Sequence, residues 1–151
     1  MADSRRQRIV AAIVTRMALI NGAGSYETNI AGRVKDSETN WAQDQATLPA
    51  ISIFDGDAIA NPTSTGAYRG VVHEMAVMIK GYTEQGSTAA NARKLIKDIK
   101  TAIRVDDKWS GLAMQSREVA DRVVRNDESY EVEGCEVEIG VMFNTLKFNA
   151  E

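Results

Sequence analysis

Reactive side chains are scarce in this sequence, which has one histidine, one cysteine and two prolines among 151 residues. The lone Cys135 has no partner for an intrachain disulfide. Its place in an alternating segment predicts a small buried apolar residue in a reducing compartment. No recognisable nucleophile, phosphate-cradling or metal-ligand motif is present. Long apolar runs are missing too. Arg5, Arg6 and Arg8 before Ile9 to Val14 imitate a signal peptide, but Arg16 interrupts the run. The stretch falls short of the roughly 20 apolar residues that span a bilayer. It reads as an amphipathic helix of a cytosolic protein, with no membrane partner. Basic excess is absent as well: the net charge of −3 argues against wrapping nucleic acid by bulk electrostatics.

What is present suits one domain over residues 1–151, a length that buries roughly two-thirds of its unfolded surface. No repeat, low-complexity segment or linker divides it. Asp3 or Ser4 can cap a first helix, with Arg5, Arg8, Thr15 and Arg16 on one side. Ile9, Val10, Ile13, Val14, Met17 and Ile20 cover most of the rest. Asn21-Gly22-Ala23-Gly24 ends it. A strand is expected around Thr28 to Lys35 and a second from Leu48-Pro49 to Phe54, stopped by Asp55-Gly56-Asp57. Residues 57–69 then read as a long loop of the kind that is often functional. Val71 to Tyr82 alternates clearly, with His73 on one face and Glu74 on the other. Ser87 caps a second helix to about Arg104, with Ala89, Ala92, Ile96, Ile99 and Ile103 as its apolar stripe. A strand within Ala113 to Arg125, a hairpin over Asn126 to Gly134 and a strand turning Cys135, Val137, Ile139, Val141 and Phe143 inward complete the chain. The expected fold is α+β: two helices on one face of an antiparallel-rich sheet of about five strands, in the order α-β-β-β-α-β-β.

His73 is the first place to look for a general base, but adjacent strand residues point apart, so Glu74 does not orient it. A half-buried, hydrogen-bonded histidine is the simpler reading. Asp55-Gly56-Asp57 and Asp106-Asp107 lack the spacing of a calcium loop and are better explained as turns. Gly22-Ala23-Gly24 follows a helix and lacks a third glycine, so it is no dinucleotide fingerprint. No catalytic residue, metal site or cofactor is assigned.

Charge is unevenly placed. The second helix carries Arg93, Lys94, Lys97, Lys100 and Arg104; the segment from Asp127 carries Glu128, Glu131, Glu133, Glu136 and Glu138. Each could be an ordinary solvated face. Opposite signs on different elements also suit head-to-tail association of identical subunits. Trp41, Tyr68 and Trp109 are the aromatics placed in or beside loops, and Trp109, before Gly111 and Leu112, is expected to cap the core.

The order of elements carries a resemblance: an N-terminal helix, a strand opening Leu48-Pro49-Ala50-Ile51, a long strand from Val71, an alanine-containing amphipathic helix, Asp107-Lys-Trp-Ser-Gly-Leu112 and a closing hairpin. In this order the chain resembles the tail terminator, or tail completion, proteins of long-tailed bacteriophages. That resemblance implies a non-enzymatic virion protein, assembled in the bacterial cytoplasm and placed at the head-proximal end of the tail. A ring of typically six copies would seat on the last tail-tube ring, stop polymerisation and offer a surface to the head–tail connector. Duplex DNA would pass through its channel without sequence-specific binding. Tyr68, Arg69, Arg93, Lys97, Arg104, Glu131 and Glu133 are the expected subunit or partner contacts. The alternatives are a neighbouring head–tail connector or minor tail protein of similar build, and, from another class, a small binding module or enzyme using His73 and Glu74.

Overall fold

Seven elements form in a computed structural model that describes residues 3–37, 48–61, 70–84 and 86–146. Helix α1 (Arg5–Met17) starts at Ser4, whose hydroxyl accepts from the Gln7 amide at 3.2 Å. It buries Ile9, Val10, Ile13 and Met17. Burying each such side chain contributes roughly 1.5–3 kcal/mol, which overrides the weak helix preference of a β-branched stretch. Strand β1 (Val34–Asp36) is shorter and later than the strand expected at Thr28 to Lys35. The preceding residues instead fold back on the end of α1, with an isolated bridge between Asn21 and Asn29.

Strand β2 (Ala50–Asn61) does not stop at Asp55-Gly56-Asp57. The register with the next strand shifts between Asp55 and Ala58, so these residues form a bulge and the strand continues. Arg6 clamps that bulge, bonding Asp55 Oδ2 through Nε at 2.6 Å and the Gly56 carbonyl through Nη2 at 2.5 Å. The loop expected over 57–69 is therefore strand as far as Asn61. Its remainder, including Tyr68 and Arg69, lies outside the described residues, as does Trp41.

Strand β3 (Gly70–Tyr82) is as expected from Val71 onward. Helix α2 (Ala89–Val105) is capped by Thr88 rather than Ser87, the Thr88 hydroxyl accepting from the Asn91 amide at 3.2 Å. Its buried stripe is Ala92, Leu95, Asp98, Ile99, Ala102 and Ile103. Ile96 is only partly covered, so the buried face is rotated toward Leu95. Strands β4 (Gln115–Arg125) and β5 (Val132–Leu146) close the chain as an antiparallel pair.

The sheet order is β1-β2-β3-β5-β4. Only β1 and β2 are parallel; the other pairs are antiparallel. Residues from both helices share one core with Ile51, Ile53, Met75, Val77, Ile79, Cys135, Val137, Ile139, Val141 and Phe143. Both helices therefore cover the same face, giving the α+β architecture expected. Trp109 completes this core at 1 % exposure. Its indole donates to Ser116 Oγ at 2.8 Å, and that hydroxyl donates to the Asp107 carbonyl at 2.7 Å. Reaching this position takes three successive left-handed residues, Trp109, Ser110 and Gly111, with φ of 51°, 60° and 81°. Asp106 holds the turn by accepting from the amides of Lys108 at 3.2 Å and Ser110 at 2.7 Å. This is the turn role expected for Asp106.

Candidate functional site

Among the described residues, the surfaces outside the core include the outward face of the sheet, the outer side of α2 and the β4–β5 hairpin. The bare face is ordered in cross-strand rows. One reads Ser52, Lys80, Glu136 and Arg122; another reads Ile59, Glu74, Met142 and Gln115. Several of its charges pair with one another. Arg117 holds Glu74 through Nε at 3.0 Å. Glu136 lies between Lys80 at 3.3 Å and Arg122, whose Nε bonds it at 2.6 Å. The Lys80 ammonium also sits 5.6 Å from the centre of the Phe54 ring. Gly140 lies under the Glu74 carboxylate, and a Cβ added there would push that carboxylate aside. The result is a hollow of about 300 Å³ rimmed by the exposed Ile59 and Val119.

His73 and Glu74 are separated as the alternation implies. His73 is half-buried, its Nε2 2.9 Å from Thr145 Oγ1 and its ring stacked on Phe143 at 5.2 Å. Glu74 lies on the bare face with Arg117. The structure thus does not bring the two together into an acid–base pair. Among the described residues no group of three or more His, Cys, Asp or Glu side chains could hold a metal ion. No helix among them is long and apolar enough to cross a membrane. Burial pushes the Cys135 thiol up to about 12, which leaves it a poor nucleophile.

The basic side of α2 divides into engaged and free cations. Lys97 reaches Glu27 at 3.3 Å, and Lys100 is 2.5 Å from Asp121 and 3.9 Å from Glu118. The Asp121 hydrogen bond is the main reason the Lys100 pKa is raised. Arg93, Lys94 and Arg104 are exposed and make no salt bridge among the described residues. Asp127, Glu128, Glu131 and Glu133 on the hairpin likewise make none, although Glu133 accepts from Asn126 Nδ2 at 3.1 Å. Of the contacts expected from sequence, Arg93, Arg104, Glu131 and Glu133 therefore stand on accessible surface. Lys97 is already committed within the chain.

Two features escaped the sequence. Asp98 is fully buried, and its carboxylate accepts from the Glu27 amide at 3.0 and 3.1 Å and from the Thr28 amide at 2.6 Å. The signal was a lone acid one residue before Ile99 on the apolar side of the helix. Tyr130 is 73 % exposed at the hairpin tip; an aromatic inside an acidic turn was the available clue.

No protein-family model matches the chain, and no curated protein matches it in sequence. Function is therefore read from these surfaces.

Proposed function

We propose that the chain is a non-enzymatic, ring-forming structural protein of the kind that terminates a phage tail tube. The observation that carries this reading is the separation of unneutralised charge onto two elements. Arg93, Lys94 and Arg104 on α2, and Asp127, Glu128, Glu131 and Glu133 on the hairpin, have no ionic partner among the described residues. A chain with both signs on different surfaces carries both halves of a heterologous contact, which closes into a ring when repeated around an axis. Such contacts give register and encounter rate more than bulk affinity. Assembly driven this way weakens with salt, since the Debye length is about 8 Å at physiological ionic strength.

In this reading the ring, of about six copies, binds the growing end of the tube and turns toward the head connector a surface that no further tube subunit matches. The hollow between Ile59 and Val119 is a second contact surface, available to the tube protein. Duplex DNA passes through the opening without being read.

The test has two arms. Purified protein, alone and mixed with tail tubes, is sized by light scattering and viewed by electron microscopy. The expected result is rings, free or on tube ends, with overlong or headless tails when the gene is disrupted. Reversing Arg93 and Arg104 to Glu should weaken assembly, and reversing Glu128 and Glu131 to Lys in the same chain should partly restore it. A monomer that never binds tubes, with tails of normal length in its absence, would remove this reading.

A further inference from the structure

We propose that the hollow where the end of β3, the start of α2 and residues 27–29 meet binds a small zwitterion of the free amino-acid class, held through Thr83, Glu84 and Lys94. The site lies within a single copy of the chain, so it stands or falls independently of ring formation.

Thr83 is the residue that points to a ligand. It is only 8 % exposed, it lines the hollow, and its Oγ1 has no hydrogen-bond partner. A buried hydroxyl left this way carries its desolvation cost uncompensated, and nearly all such groups in folded proteins are satisfied by something. Its direction follows from strand alternation. A Cβ placed on Gly81 would run into Leu95, so Gly81 faces α2, and Thr83, two residues on, faces the same way. Leu95 is itself part of the lining. The Thr83 main chain is already engaged, its amide donating to the Glu133 carbonyl at 3.0 Å. Only the side chain is left over, and a hydroxyl can donate and accept at once.

The charges of the hollow name the ligand class. Two carboxylates, Glu27 and Glu84, and one ammonium, Lys94, line it. Lys97 holds Glu27 at 3.3 Å, which leaves Glu84 and Lys94 as one unpaired charge of each sign. Both border the same hollow, yet no ion pair joins them to each other or to another described residue. A ligand that carries a single charge satisfies one of them and opposes the other. A ligand with an ammonium and a carboxylate satisfies both, each through a charge-assisted hydrogen bond. The volume, about 290 Å³, is close to the lower end of small-molecule pockets and has room for an amino acid.

The walls are fixed by bonds that use none of these three side chains. Arg33 ties two of them together, donating from Nε to the Pro49 carbonyl at 2.9 Å and from Nη2 to the Asn29 carbonyl at 3.1 Å. Asp98 holds the amides of Glu27 and Thr28. The Ser87 amide donates to the Glu84 carbonyl at 3.0 Å, which fastens Glu84 to the start of α2. Asn91 Nδ2 donates to Ser87 Oγ at 3.2 Å, leaving the Asn91 side-chain carbonyl able to accept from a ligand ammonium. A hollow ordered in advance loses little entropy when it is filled.

The probes are L-serine and L-glutamine, with ethanolamine and 3-hydroxypropionate as the two halves of serine that each keep one charge. Binding is followed on the full chain by amide NMR shifts and by melting temperature. Either amino acid at millimolar concentration should move the amides of Thr28, Thr83 and Asn91 and raise the melting temperature by a few degrees, and each half should bind at least about tenfold more weakly than serine. Thr83→Val keeps the shape and removes the unpartnered oxygen. It should melt at or above the parent temperature while binding weakens at least about tenfold. Lys94→Gln and Glu84→Gln, both at exposed positions, should each abolish the preference for serine over one of its halves. Thr83→Val binding the probes as the parent does would overturn the assignment, and so would a half that binds as tightly as serine. Glucose moving these amides where the amino acids do not would make the hollow a polyol site, and no response to any probe would leave Thr83 to water; either result overturns the inference.

Discussion

The inward and outward faces of the same sheet are stabilised by different physics. On the inward side, Met75, Val77, Ile79, Val137, Ile139 and Val141 are almost wholly buried under two helices. On the outward side, Glu74, Lys80, Arg117 and Arg122 form ion pairs around Met78, Ala76 and Met142, and no helix among the described residues covers them. Successive strand residues point to opposite sides, so one stretch such as Val71 to Tyr82 serves both. The inward face carries the stability. The outward face, worth little to the monomer, is free to be shaped by whatever binds it.

The sharpest test of that division is Trp109→Ala. Removing a ring at 1 % exposure should cost about 3–5 kcal/mol and take from the Ser116 oxygen its indole donor, as read by denaturant unfolding. A loss below about 1 kcal/mol would mean that Trp109 is not part of the stabilising core. Asp98→Ala should come next, at roughly 3 kcal/mol, because the Glu27 and Thr28 amides lose their buried acceptor. Hydrogen exchange should localise the damage to residues around 27 and 28, and Asp98→Asn should recover part of it.

Alkaline titration reaches the inward face through Cys135. Its folded pKa lies near 12 against an ordinary 9.0, so the unfolded chain ionises first. Stability contributed by the neutral thiol is complete below pH 9 and is lost as pH rises toward 12, at up to about 1.4 kcal/mol per pH unit. Cys135→Ala should flatten this slope, leaving the smaller same-sign contribution of Tyr82, whose pKa is raised mainly by burial. An unchanged slope would place the loss elsewhere. The smallest effect belongs to the outward face: Arg117→Ala should cost at most about 1 kcal/mol, since the Glu74 pair is substantially exposed. A loss as large as that of Asp98→Ala would erase the distinction between the faces.

Much of the inward face was legible in advance. Alternation at Cys135, Val137, Ile139, Val141 and Phe143 identified β5 correctly, because a strand buried on one side writes its period into the chain. The outward face and the binding surfaces were less legible. Asp55-Gly56-Asp57 has the composition of a turn, and only Arg6, distant in sequence, makes it a bulge within a continuing strand. The α2 stripe was misjudged by one position because Leu95 and Ile96 are equally apolar, and only packing against Gly81 selects Leu95. The free cations on α2 could not be told from Lys97 and Lys100 until the fold supplied Glu27 and Asp121.

By itself the sequence determined the two helices, the order of the elements and the inward side of β3 and β5, since these depend on local periodicity. Tertiary structure alone decided the rest: that the carboxylate of Asp98 fixes the chain at Glu27 and Thr28, and that Thr28, Thr83 and Lys94 border one hollow. Those are relations between residues far apart in the chain, set by strand pairing and helix packing, and no local pattern encodes a distance across the fold.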